Sequence, residues 1–244
     1  MVHTFYAGRL GNRMFEYALG RLIAVKKGYK FKVSRPIPFF PRTSDVVRGK
    51  ERLDNLMVLT GQSLNWPAVL NHEGQIQCRR LYGQRWELYK DDLDLVLSWF
   101  NISNEEMFEI PDKGDLVVHL RLGDFVDLGI DLDTEMLLSV TETIPCKSKY
   151  IVTDSIYSSQ ALEFIRRGYK LFHKGLHEDF VFMKHASTLV MAQSTYSWWA
   201  GLLGTGEVHG IILKNSDKQL WTSHPSNRQI DLRVDLPRYT WHVL

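Results

Sequence analysis

Leu116-Val117-Val118-His119-Leu120-Arg121-Leu122-Gly123-Asp124 is the stretch on which the fold turns. Residues 116–120 have an apolar centre of three residues and read as a buried strand, and Arg121 follows directly. In an open α/β sheet, ligands bind outside the carboxyl ends of the strands, which is where Arg121 projects. A guanidinium at that edge can clamp two phosphate oxygens with paired hydrogen bonds. His119 lies two residues back and shares that face; its other reading is a hydrogen-bonded core histidine. Asp124, three residues beyond Arg121, can orient it or accept a proton, or can simply be a turn or helix-start acid. An arginine closing a buried strand is harder to explain by structure alone.

Two further segments repeat this plan of apolar run, polar loop and helix. Gly8-Arg9-Leu10-Gly11-Asn12-Arg13-Met14-Phe15 follows a strand over 2–6. Gly8, Gly11 and Asn12 permit a sharp turn and close approach to a ligand, and the next helix would offer N–H groups to an anion. The spacing is not G-x-G-x-x-G, so no dinucleotide fingerprint is present. Ser194-Thr195-Tyr196-Ser197-Trp198-Trp199-Ala200 opens another helix. Its hydroxyls either hold phosphate or cap that helix, and one cap accounts for only one of the three. Trp198 and Trp199 read as packing. Thr153 and Asp154 end a further strand, where an acid often meets ribose or base. Together the loops suit a phosphorylated ligand.

Outward from these segments, a helix from Met14 stops at Gly28, a strand covers 29–33 and a helix covers 91–100. The region 42–76 is the least legible. Residues 111–115, Pro-Asp-Lys-Gly-Asp, form a polar domain break. Beyond it, strands over 116–120, 150–153, 170–172, 188–192 and 208–213 alternate with helices over 134–143, 158–167, 178–185 and 197–203. That alternation implies a parallel, doubly wound α/β sheet. The expected domains are 1–111 and 112–244.

The chain has 244 residues, 30 basic and 28 acidic, for a net charge of +2, so no global field favours nucleic acid. Cys78 and Cys146 are far apart and read as free thiols of a reducing compartment. The first strand starts at residue 2 or 3, and no apolar run approaches bilayer length, so a cytoplasmic protein without a membrane segment is expected. Asp92-Leu93-Asp94 reads as solvated surface. Asp131-Leu132-Asp133 is a weak metal candidate. No zinc spacing or Ser-His-Asp order stands out.

The three segments resemble motifs of the α-1,2-fucosyltransferases of bacterial and animal type. The first resembles G-R-L-G-N-Q-M-F-Q-Y-A, the second H-x-R-R-G-D-[YF], and the third S-[ST]-F-S-W-W-[AG]-A. Residues 81–89 loosely resemble G-[YF]-[FW]-Q-[ST], and Asp179-Phe180-Val181-Phe182-Met183 resembles the D-[LF]-x-L-M helix. The order is correct, and the match spans most of the chain apart from 35–77.

The resemblance implies a GT-B fold of two Rossmann-like halves, the N-terminal one on the acceptor side and the C-terminal one holding the nucleotide sugar. It implies GDP-fucose as donor, a glycan acceptor, inversion at the anomeric carbon, and neither cofactor nor metal. By motif, Arg121 would bind the diphosphate and Asn12, after Gly11, would face the transferred sugar. Ser194 and Thr195 would hold phosphate, and Asp154 would lie near the nucleoside, with His119 and Thr153 beside the donor. Asp124 and Asp127 are the candidate bases. Three departures stand out: Leu122 for the second Arg, Arg13 for Gln, and Tyr196 for Phe. Leu122 removes a cation near the donor, which keeps a UDP-sugar transferase of the same fold as an alternative. A catalytically silent nucleotide- or glycan-binding relative and a metal-dependent transferase using Asp131 and Asp133 are the others.

Overall fold

The computed structural model describes residues 1–41, 49–50, 54–123, 132–214, 219–222 and 229–244. They form two compact units, Met1–Ser103 with Thr222–Arg233, and Asn104–Trp221 with Val234–Leu244. The stretch just before the 111/112 break belongs with the second unit: Glu105 pairs with Lys184 and His185, and Glu109 with Lys174. Asp231 returns to the first unit by bridging Arg85.

The first unit contains β1 (Val2–Phe5), α1 (Leu10–Lys27), β2 (Phe31–Val33), β3 (Met57–Gly61), α2 (Trp66–Asn71), β4 (Ile76–Leu81) and α3 (Leu93–Leu97). Its sheet is parallel throughout, in the order β2-β1-β4-β3. α1 ends at Gly28, whose left-handed backbone returns its N–H to the carbonyls of Ala24 and Val25, beside Lys26 and Lys27. Small residues there and cations in the last turn are what a helix C-terminus favours. Tyr17 on α1 meets Phe31 and Phe100 edge-on at 5.5 and 5.6 Å, and these rings form the centre of the core. The helix foreseen over 91–100 is shorter: a 3-10 turn at Lys90–Asp92 leads into α3.

The second unit contains β5 (Leu116–Leu120), α4 (Thr134–Thr141), β6 (Lys149–Thr153), α5 (Ser159–Arg166), β7 (Lys170–Phe172), α6 (Leu176–Lys184), β8 (Thr188–Val190), α7 (Thr195–Leu203), β9 (Glu207–Ile212) and β10 (Tyr239–Val243). All six strands run parallel, in the order β7-β6-β5-β8-β9-β10. Counted within the unit this is 3-2-1-4-5-6, the order of dinucleotide-binding sheets, whose direction of winding reverses between β5 and β8. β5 is buried along its whole length. Leu116, Val118 and Leu120 face Leu137, Leu138, Ala161 and Phe164 of α4 and α5. On the opposite face Tyr150 meets Phe182 of α6, and His119 meets Tyr196 of α7. Helices therefore cover both faces, as the alternating sequence pattern requires.

Candidate functional site

The reversal between β5 and β8 brings two of the three sequence segments to one sheet edge. β5 delivers His119 and Arg121, and the turn after β8 delivers Ser194 and Thr195. A ligand crevice at the carboxyl ends, at such a reversal, is the general rule for open α/β sheets.

Arg121 forms an ion pair with Asp154, which follows β6. The Arg121 side chain is 12% exposed and that of Asp154 42%. The carboxylate thus orients a mostly covered guanidinium from the neighbouring strand. Ser155, which the sequence reading passed over, ties the two loops together. Its hydroxyl donates to Asp154 at 3.3 Å and accepts from the Gly123 N–H at 3.2 Å, while its own N–H donates to Thr153 Oγ1 at 3.1 Å. A serine directly after a strand-end acid was the available signal.

His119 is 4% exposed, and its Nδ1 has no hydrogen-bond partner among the described residues. Burial, then the adjacent Arg121 charge, holds its pKa down to about 3, so the ring is neutral. A core histidine normally has both nitrogens engaged; this one does not. Leu122 is 3% exposed and packs in the core with Leu116, Val118 and Leu120. The departure from the motif therefore serves packing on the α4–α5 side.

Ser194 caps α7: its hydroxyl accepts from the Tyr196 N–H at 3.2 Å. Ser197 is fully buried and donates back to the Ser194 carbonyl at 3.3 Å. Two of the three hydroxyls are thus engaged with α7 itself, and Thr195 occupies its first residue. Tyr196 donates to the Leu176 carbonyl at 2.5 Å, anchoring α7 to the start of α6. Trp198 and Trp199 are fully buried, with ring centres 5.0 Å apart, as packing residues should be.

The glycine segment lies at the equivalent reversal of the first unit, between β1 and β4. Gly11 and Asn12 sit in the first turn of α1 rather than in a preceding loop, because the helix begins at Leu10, before the apolar periodicity starts. No side chain caps that end. Gly8 has φ +74°, and a Cβ there would lie 2.7 Å from Asn12 Nδ2. Asn12 Oδ1 accepts from Gln84 Nε2 at 2.8 Å. Gln84 is in turn bonded twice to Gln62, through its N–H at 2.8 Å and its Oε1 at 3.3 Å. Gln62 and Gln84 escaped the sequence reading as site residues, since neither follows a recognisable strand.

Asp124, Asp127 and Asp131 lie outside the described residues. Asp133 caps α4, accepting from the N–H groups of Glu135 and Met136, and Asp92 pairs with Lys26 at 2.7 Å. Cys78 and Cys146 are free thiols. Among the described residues no three metal-ligating side chains cluster, and no helix is long and apolar enough to cross a membrane.

No family model matches the chain, and none of the curated proteins does. Solved structures do. The fucosyltransferase NodZ from Bradyrhizobium matches at 12% identity and a TM-score of 0.50, over 83% of this chain and 93% of its own. A substituted Arabidopsis thaliana FUT1 in complex with GDP matches at 11% identity and a TM-score of 0.55, over 95% of this chain and 74% of its own. The chain has the fold of these fucosyltransferases.

Proposed function

We propose that the chain is an inverting glycosyltransferase that moves L-fucose from GDP-fucose to a hydroxyl of a glycan acceptor without a metal. The observation that carries this reading is Arg121, held by Asp154 at the reversal of a dinucleotide-type sheet, between β5 and the strand β8 that leads into α7. The fold shared with fucosyltransferases, one of them in complex with GDP, supports the donor. In this reading 112–244 holds the nucleotide sugar and 1–111 the acceptor.

The acceptor oxygen bonds to the anomeric carbon as the bond from that carbon to the diphosphate oxygen breaks. Negative charge then grows on the departing GDP. Arg121 faces that charge with preformed donors, and the N-terminus of α7 adds its dipole. His119 is neutral, so Arg121 is the cation that β5 delivers to that charge. The acceptor proton passes to a base, with Asp124 and Asp127 as the candidates. Removing a preorganised donor of this kind typically costs about 2.7–4 kcal/mol in the barrier. Arg121→Ala is therefore expected to lower turnover at least ~100-fold while the protein stays folded. Near-normal turnover would refute the assignment.

Leu122 favours a second reading in which the donor is another nucleotide sugar, such as a UDP-sugar, because a core leucine supplies no second cation beside Arg121.

A further inference from the structure

A recess of about 450 Å³ opens at the carboxyl ends of β3 and β4, lined by Thr60, Gly61, Gln62, Arg79, Arg80 and Tyr82. It lies wholly within the first unit. Two consecutive strand residues ordinarily send their side chains to opposite faces. Here Arg79 and Arg80 both border one recess. The β3–β4 register slips between Leu59 and Gly61, and Arg80 adopts φ +51°. Non-glycine residues seldom take that conformation, and bulges that re-aim side chains gather beside functional sites.

Both arginines are exposed. Arg79 is steadied without being neutralised: its guanidinium lies 5.0 Å from the Phe5 ring centre, and its Nε donates to Gln77 Oε1 at 3.0 Å. Neither arginine has a carboxylate partner among the described residues. Among the described residues the recess thus carries two guanidinium groups with no carboxylate partner, beside Thr60 and Tyr82. Its Gln62 wall continues through Gln84 to Asn12 at the β1–β4 reversal.

We propose that this recess is an acceptor subsite that binds an anionic substituent, so that the preferred acceptor is an acidic glycan. The inference rests on the glycosyltransferase reading, which places the acceptor in this half. Planar, forked guanidinium groups match the paired oxygens of a sulfate, phosphate or carboxylate, and the hydroxyls suit the sugar that bears it.

Calorimetry on the full chain tests this with a sulfated, a phosphorylated and a uronate-containing disaccharide, each beside its neutral parent. At least one charged sugar should bind about tenfold or more tightly than its parent, and rising salt should erode the difference. The arm with the largest difference identifies the anion. The preference should vanish in the double variant Arg79→Gln with Arg80→Asn, where asparagine suits the left-handed backbone. Equal affinities within all three pairs, no binding of any charged sugar, or a preference that survives the double variant overturns the proposal. The wild-type comparison stands whether or not the variant folds. Thermal stabilisation by GDP is measured on the same preparations. Its absence alongside an intact charge preference refutes the transferase reading and leaves the anion site standing.

Discussion

Glu16 provides a prediction that needs neither donor nor acceptor. It lies on α1, 1% exposed; its Oε2 accepts from the Ala7 N–H at 2.8 Å, and its Oε1 is buried without a partner among the described residues. Burial raises its pKa from 4.5 to about 7, with the Ala7 N–H and the Arg13 charge pulling partly back. Between these two values the folded chain keeps a proton that the unfolded chain has lost, so stability must fall as pH rises through that window. At about 1.4 kcal/mol per pH unit, the gap amounts to roughly 3 kcal/mol, absent below pH 4.5 and complete above pH 7. Glutamine has the same shape and no charge. Urea unfolding of wild type and Glu16→Gln at pH 5 and pH 8 isolates the effect. The variant should gain about 2–3 kcal/mol on wild type between the lower and the higher pH. Parallel profiles for the two proteins would show that Glu16 ionises normally, and would refute the buried-acid argument.

Gly8→Ala should lower the melting temperature by several degrees, since a left-handed L-residue costs about 1–2 kcal/mol and the added methyl displaces the Asn12 amide. Tyr196→Phe, which restores the motif's residue, should cost about 1 kcal/mol in unfolding free energy through the lost bond to Leu176. A cost near zero would show that bond to be idle. The His119 ring should keep constant NMR shifts from pH 8 to pH 5, because burial and Arg121 hold it neutral there. A titration near pH 6.5 would contradict that.

The regular second half was legible because each element follows a plain physical signal. β5 is a short apolar run, α5 ends at Gly168 with φ +87°, and Asp133 and Ser158 cap their helices. β3, β4 and β10 were not. In β4 the consecutive exposed residues Arg79 and Arg80 break the alternation that marks a half-buried strand. β10 joins the sheet edge only after a long connection from β9. Of the site, Arg121 and Ser194 were visible as polar residues at apolar strand ends. The partnership of Arg121 with Asp154 was not, because it joins loops 33 residues apart that meet only through the parallel β5–β6 pairing. Glu16 was hidden in another way: it occupies the second glutamine of the opening motif, and only its burial reveals the consequence.

The most direct test of the central claim is thermal stability with GDP, GDP-fucose, UDP and UDP-sugars, each with and without chelator. A ligand present at about 100 times its dissociation constant adds about 2.7 kcal/mol to the folded state, a shift of several degrees. Stabilisation by the GDP compounds alone, unchanged by chelator, is the predicted result. Stabilisation by UDP compounds in their place would contradict the donor and make Leu122 its mark, and no response to any nucleotide would contradict the transferase reading itself.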